Sequence, residues 1–421
     1  MKKLVPQSIK NIYHLFQAIL ANLWYGWPTK KLKVIGITGT DGKTTTCQLV
    51  MKVLEEAGKK VAMASTINFR INGEEQKNLS HFTTMSSFAV QKFARRAVKA
   101  GCEYLVLETS SHSLDQYRVW GVAYDTAVIT NVTREHLDYH KTMEKYRQAK
   151  AKLFCKTKVA IVNLDMEKPE EFLQYKNEKK ITYSLKNNKA EIFAENIELG
   201  IEKSTFSVNG QKFTLNLIGD FNVENALAAI SIGVSENIDL ATSVKALEKI
   251  TGVPGRMEYV ENNRGLNILV DFALTPDALE KLYSLLEKIK KPPASPAGKG
   301  ARVIAVFGSC GERDRGKRPI MGEIVSRRAD FVIVTNDEPY HEDPMQIINE
   351  IVVGIKNKKE NEDFWIIPDR QEAIAKALQL ATPDDIIAVT GMGAEESMVV
   401  GGKKIPWNDK QVILEELQKL K

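Results

Sequence analysis

Short, unbroken apolar runs alternate with helix-period stretches over most of this 421-residue chain. KVIGIT at 33–38 is followed by a glycine-bearing turn and a helix-compatible stretch over 43–57. Similar runs recur at 104–108, 126–130 and 159–163, with helical patterns between them. Strands covered on both faces read as continuous apolar runs, so this alternation predicts a mostly parallel sheet flanked by helices. From 190 to 217 the texture changes to polar-alternating runs, with Asn209 and Gly210 marking a hairpin turn. This predicts a small antiparallel edge on the same domain. After Val253, Pro254 and Gly255 a second strand–helix series begins, with strands at 267–271, 303–307, 331–335 and 385–390. The stretch KKPPASPAGKG at 290–300 falls inside that series and reads as a surface loop. The expected fold is α/β. It comprises a short apolar helical segment at 1–32, a central P-loop-type, mostly parallel sheet domain at 33–254, and a Rossmann-like domain at 255–421.

Composition supports more than one domain, because a chain of this length with 43% hydrophobic residues outgrows a single core. Its 59 basic and 53 acidic residues leave a net charge of +6, with both signs mixed along the chain. That argues against nucleic acid as a partner and suits an anionic small ligand. Cys47, Cys102, Cys155 and Cys310 are far apart and form no CxxC pair, which speaks against a zinc ribbon or a disulfide framework and fits a reduced, cytoplasmic setting. Residues 11–29 lack Asp, Glu, Lys and Arg, yet Asn11, His14, Gln17, Asn22, Gly26 and Pro28 interrupt them, so they read as neither a membrane span nor a signal peptide. IYHLFQAILANLWYGW instead forms an apolar, aromatic helix flanked by Lys2, Lys3, Lys10, Lys30 and Lys31. Two readings of it carry equal weight: peripheral membrane contact through residues 9–27, or docking on the central domain.

Candidate chemistry starts at TGTDGKTTT, residues 38–46. Thr38, Gly39, Thr40, Asp41 and Gly42 give a loop whose backbone can approach phosphate oxygens. Lys43 then meets the outer phosphates, and Thr44 or Thr45 reaches a magnesium ion. Ile37 stands where the usual nucleotide-binding pattern has its first glycine. Glu108 closes a buried-looking strand, where a carboxylate is costly unless it binds a cation or pairs with a base. His136 ends another strand-to-loop segment, and ligands collect at strand carboxyl ends. Taken singly, each is more often a structural residue.

Together with the string ETSSHSLDQYRVWGVAYDTAVITNVTREHLDYHKTMEKYRQAKAKLF, these residues resemble the Mur ligases over about 33–417, most closely the branch that adds the third residue of the stem peptide. The resemblance implies an ATP-dependent amide ligase of peptidoglycan synthesis, joining an amino acid to a UDP-muramyl peptide through an acyl-phosphate. It implies ATP and Mg²⁺ as cofactors, with Lys43 and Thr44 on the phosphates and the metal, and Glu108 and His136 as further magnesium ligands. Lys150 would be the lysine that family members carbamylate, its carbamate holding a second magnesium. Otherwise it reads as part of a solvated helix face. Asn225 in GDFNVENALAAI would lie near adenine, Arg256 at the hinge, and Asp271 on the nucleotide.

For the acceptor, the resemblance points to Thr83, Thr84, Ser110, Gln116 and Arg118, with Met85 replacing the family's proline. For the amino acid it points to Arg313, Asp337, Glu338, Gly391 and Glu395. Asp337-Glu338-Pro339-Tyr340 takes the place of Asp-Asn-Pro-Arg in diaminopimelate-adding members. The arginine for a distal carboxylate is therefore replaced, and the negative Glu338 favours an ammonium-ended side chain such as lysine. Leu274 stands where the family usually has histidine, and GMGAEES replaces a GKGHE-like run. Such ligases generally open with a uridine-nucleotide domain, whereas only about 32 residues precede the first strand here, too few to fold alone. Uridine recognition is thus expected to be reduced, moved or supplied by another molecule. A monomer is expected, located in the cytoplasm or at the inner face of the membrane. Competing readings are a folylpolyglutamate synthase-like ligase, disfavoured by SSHSLDQYR, and a catalytically weak scaffold, disfavoured by the joint presence of Lys43, Glu108, His136 and Lys150.

Overall fold

The computed structural model describes residues 6–80, 82–200, 203–290 and 300–420. Lys2, Lys3 and the proline-rich stretch 291–299 lie outside the described residues. The chain divides into two compact units, Met1–Thr133 with His140–Thr251, and Arg134–Tyr139 with Gly252–Lys421.

The first unit is built on a nine-stranded sheet among the described residues. Its order is Glu74–Lys77, Asn68–Ile71, Val61–Ala64, Tyr104–Glu108, Lys33–Thr38, Tyr124–Ile129, Val159–Asn163, Lys179–Ser184 and Ile192–Phe193. Every pairing from Val61–Ala64 onward is parallel. The central strands are buried along nearly their whole length, which is why they read as unbroken apolar runs. The Asn209–Gly210 turn does close a hairpin, with Val208 paired to Gln211, and both turn residues have positive φ, 49° and 78°. Its strands do not extend the large sheet, however. Glu195–Leu199, Ser204–Val208 and Gln211–Leu215 form a separate three-stranded sheet. The antiparallel edge of the large sheet is the hairpin 68–77, whose outer strand EEQK is wholly exposed and carries no apolar pattern to announce it.

Two helices frame this sheet. Helix Lys43–Glu56 starts where strand Lys33–Thr38 ends and packs on helix Asp220–Ser235. Helix Gln7–Tyr25 packs on helix Ser87–Lys99, buries Ala18, Ala21 and Asn22, and stops at Gly26 in the left-handed conformation.

The second unit has a six-stranded sheet in the order Glu258–Val260, Asn267–Asp271, Ile386–Thr390, Val303–Phe307, Phe331–Val334, Phe364–Ile366. Only the first pairing is antiparallel. Alternate strand residues feed two apolar layers. Leu269, Ala305, Val332 and Ala388 face one, and Ile268, Ile304, Ile333 and Ile387 face the other.

Candidate active site

The loop at 39–42 is walled so closely that only glycine fits at two of its positions. A Cβ on Gly39 would lie 1.8 Å from Thr130 Oγ1, and one on Gly42 would lie 2.3 Å from Asn225 Oδ1. Thr130 and Asn131 hold the loop from the neighbouring strand end. Thr130 Oγ1 donates to Asp41 O at 2.6 Å, and the N–H of Asp41 donates to Asn131 Oδ1 at 3.0 Å. Thr40 Oγ1 contacts Tyr146 Oη at 3.2 Å. The first turn of helix Lys43–Glu56 leaves orphan N–H groups facing the loop, a ready anion site. Lys43 Nζ donates to Gly39 O at 3.1 Å and to Thr40 O at 2.7 Å. Thr38 Oγ1 is buried without a hydrogen-bond partner at the strand end that enters the loop. Asn225 stands against Gly42 and accepts from Thr46 Oγ1 at 3.2 Å, which places it behind the phosphate loop.

Glu108 is buried, and its carboxylate is met by donors on two sides. Thr44 Oγ1 lies 3.1 Å from both oxygens. Thr66, which sequence reasoning missed, donates its N–H to Oε2 at 2.6 Å and its hydroxyl to Oε1 at 2.9 Å. A carboxylate beside a threonine hydroxyl at a helix N-terminus is oxygen-rich, as magnesium prefers. Among the described residues, no group of three or more His, Cys, Asp or Glu forms a ready metal cage. A magnesium ion held here would need further ligands beyond Thr44 and Glu108.

Lys150 is not on a solvated face. It is 1% exposed, donates to Gly39 O at 2.6 Å and sits 4.4 Å from the centre of the Tyr146 ring. Burial, and then the nearby Lys43 ammonium, push its pKa well below the ordinary lysine range, with Asp41 opposing. His140, a nearby residue the sequence did not single out, hydrogen-bonds Ser111 Oγ at 3.0 Å, and burial lowers its pKa to about 4.

Three of the expected acceptor residues converge on the same strand end. Thr84 Oγ1 donates to Glu108 O at 3.0 Å, Ser110 N–H donates to Thr84 Oγ1 at 2.9 Å, and Arg118 Nη1 donates to Thr84 O at 2.8 Å. Ser110 also caps the short helix Ser111–Asp115, and Gln116 follows at its C-terminus. Thr83 precedes the buried Thr84 and is half-buried. Met85 packs partly buried against the apolar cluster of Leu105 and Leu107.

In the second unit, Asp271 is tied down by the N–H groups of Met257 and Ala273, both at 2.7 Å. Arg256 lies over the Phe272 ring at 4.4 Å. His136 falls in the 134–139 stretch grouped with this unit and has a left-handed φ of 56°. Lys317, which carried no sequence signal, is buried against Glu135 at 3.0 and 3.2 Å and donates to Leu274 O at 2.9 Å. Arg313 is exposed, 5.7 Å from the Tyr340 ring centre.

Glu338 is buried and already accepts from Tyr340 Oη and Val399 N–H, each at 3.2 Å. Among the described residues, Asp337, 1% exposed, has Oδ1 unpartnered, and its Oδ2 receives the Cys310 thiol at 3.8 Å. Burial raises its pKa to about 7 against the pull of Arg370, which is committed to Asp409 at 2.8 and 2.7 Å. Gly391 abuts this carboxylate, where a Cβ would lie 2.7 Å from Oδ2. Glu395 lies partly buried four residues on, its N–H bonded to Met392 O at 3.0 Å.

A glycine-walled loop between a buried parallel strand and a helix, capped by lysine and backed by a carboxylate, defines a phosphate-loop protein of the α/β class. Models of the Mur ligase middle domain and of the Mur ligase, glutamate ligase domain match residues 37–233 and 255–393. The UDP-N-acetylmuramoyl-L-alanyl-D-glutamate–2,6-diaminopimelate ligase of Clostridium tetani is 38% identical over 409 residues, covering 96% of this chain and 81% of its own. A solved structure of a ligase of that name is 32% identical with a TM-score of 0.61, covering 92% of this chain and 78% of that one. The Mycobacterium tuberculosis folylpolyglutamate synthase, at 16% identity and a TM-score of 0.72, covers 90% of this chain and 96% of its own and shares the fold alone. The chain belongs to the Mur ligase family.

Proposed function

We propose that this protein is an ATP-dependent, ADP-forming ligase that adds an amino acid to a UDP-N-acetylmuramoyl peptide in peptidoglycan synthesis. The observation that carries this reading is the joint placement, in one unit, of Lys43 on the loop carbonyls, Thr44 on Glu108 and Lys150 on Gly39. ATP with Mg²⁺ supplies the phosphoryl group that turns the peptide carboxylate into an acyl-phosphate. The chain's own residues neutralise charge and align the reactants. Gly39 and Gly42 let the backbone approach the phosphates, and Lys43 swings from Gly39 and Thr40 to meet them. Glu108 and Thr44 provide metal ligands, with His136 as a third. Asn225, Arg256 and Asp271 complete nucleotide binding. Thr83, Thr84, Ser110, Gln116 and Arg118 orient the muramyl peptide so that its carboxylate faces the loop.

Lys150 is carbamylated in this reading. A neutral amine adds to carbon dioxide and loses a proton, and the resulting carbamate anion relieves the like-charge repulsion from Lys43. Labelled bicarbonate should give a carbamate resonance that Lys150→Arg lacks.

For the incoming amino acid, Arg313 takes the α-carboxylate beside Gly391 and Glu395, and Asp337, whose Oδ1 is unpartnered, attracts a distal ammonium together with Glu338. Lysine or another diamine is therefore placed ahead of the diaminopimelate named for the relatives, because Tyr340 replaces the arginine a distal carboxylate would need. The enzyme works as a monomer in the cytoplasm or at the inner face of the membrane, with a short helical segment at 1–32 ahead of domains at 33–254 and 255–421. Phosphate release with UDP-muramyl dipeptide across a panel of amino acids tests both levels. Absence of any amino-acid-dependent release removes the ligase reading, and a clear preference for diaminopimelate removes only the choice of lysine.

A further inference from the structure

Helix Gln7–Tyr25 has two faces with opposite fates. Its small and amide side chains hold the first unit. Asn22 Nδ2 donates to Trp120 O at 2.9 Å and Asn11 Nδ2 to Asp115 O at 3.2 Å, while Ala18 and Ala21 are buried. Its large side chains turn away. Ile9, Ile12, Phe16, Leu20, Leu23 and Trp24 are 40% to 78% exposed, and their spacing of three and four residues aligns them in one stripe. Monomeric proteins rarely leave such a contiguous apolar surface uncovered.

The surrounding charge favours one occupant. Residues 1–40 contain six lysines and no Asp, Glu or Arg. Lys30 and Lys31 are exposed just beyond the helix C-terminus. No helix among the described residues is long and apolar enough to cross a membrane. An aromatic, apolar stripe on a segment whose charged side chains are all lysines matches the boundary between anionic headgroups and acyl chains, with the helix lying in the plane.

We propose that Gln7–Tyr25 is an in-plane anchor that docks the first unit onto an anionic bilayer surface. Its bonds to Asp115 and Trp120 bracket the segment carrying Gln116 and Arg118, so docking also holds that segment at the interface. Tyr117 and Trp120, each about two-fifths exposed, add apolar surface there. That this segment binds the acceptor rests on the ligase reading. The anchoring does not, and it is measured without substrate or turnover.

The test is flotation of the full chain with vesicles of phosphatidylglycerol and phosphatidylcholine against vesicles of phosphatidylcholine alone. The chain should float with the anionic vesicles and bind the neutral ones about tenfold less. Phe16→Ser with Trp24→Ser should lower anionic binding at least tenfold, with an unchanged thermal transition because both residues are exposed. Lys30→Gln and Lys31→Gln should each lower it by roughly fivefold. A wild type that stays in the soluble fraction overturns the proposal. So does a dimer that the Phe16/Trp24 variant converts to monomer without any vesicle binding, which would assign the stripe to a second copy. Equal binding to both vesicle types overturns the choice of an anionic surface.

Discussion

The two units each place a buried carboxylate near a strand end, and treat it in opposite ways. Glu108 in the first is met by the Thr44 hydroxyl and by both the hydroxyl and the N–H of Thr66. Asp337 in the second keeps one oxygen unpartnered, and burial lifts its pKa to about 7. A phosphate-binding loop can be finished in advance, because its ligand is always the same anion and the polar groups that face it can already be fixed. A buried carboxylate with one oxygen lacking a donor is held at an unfavourable free energy that a cationic ligand would relieve. Under the proposed function, the first site is preorganised for a constant ligand, and the second is left incomplete for a variable one.

The sharpest way to break this comparison is to remove the cation of the finished site. Lys43→Ala should lower amino-acid-dependent phosphate release by about 10²–10³-fold, the usual loss for one preorganised charge-stabilising group. Retained turnover would mean the loop is not where phosphates bind. Gly39→Ala should follow at about 10²-fold, because its new Cβ would force the loop away from Thr130 by an ångström or more. Activity and the thermal transition measured together separate a displaced loop from an unfolded protein.

The incomplete site is tested through pH. Asp337 has a folded pKa above its unfolded value of about 3.8, so the fold binds the extra proton between those values. Stability should fall as pH rises from about 4 to about 7 and level off above. Asp337→Asn should raise stability at pH 8 by roughly 3–4 kcal/mol and hardly at all at pH 4, measured by denaturant unfolding. It should also weaken binding of a diamine substrate. Equal effects at both pH values would place the open carboxylate elsewhere. The smallest effect is expected at His140. Its pKa is lowered to about 4, so its stabilising contribution is complete above pH 6.5 and lost as pH falls toward 4. His140→Gln can keep the hydrogen bond to Ser111, so it should cost only about 1 kcal/mol at pH 7 and blunt the acid-side loss.

Much of the fold was legible along the chain itself. The strands 33–38, 104–108, 159–163, 267–271 and 303–307 fall where the apolar runs lie, because a strand buried on both faces has no alternative composition. TGTDGKTTT is also local, since a strand, a turn and a helix start are contiguous in sequence. The hairpin at 68–77 was not legible, because an exposed polar strand owes its position to a neighbour's backbone rather than to its own side chains.

What the sequence determined by itself was the alternating α/β plan, the phosphate loop and the family to which its motifs belong. These follow from residue period and from groups close along the chain. Only the tertiary structure decided which side chains are spent and which are left over. It buried Lys150 against Gly39, satisfied Glu338 while leaving Asp337 open, and turned the apolar stripe of helix Gln7–Tyr25 outward. Solvation and hydrogen-bond partners depend on neighbours brought from distant parts of the chain, and no local pattern encodes them.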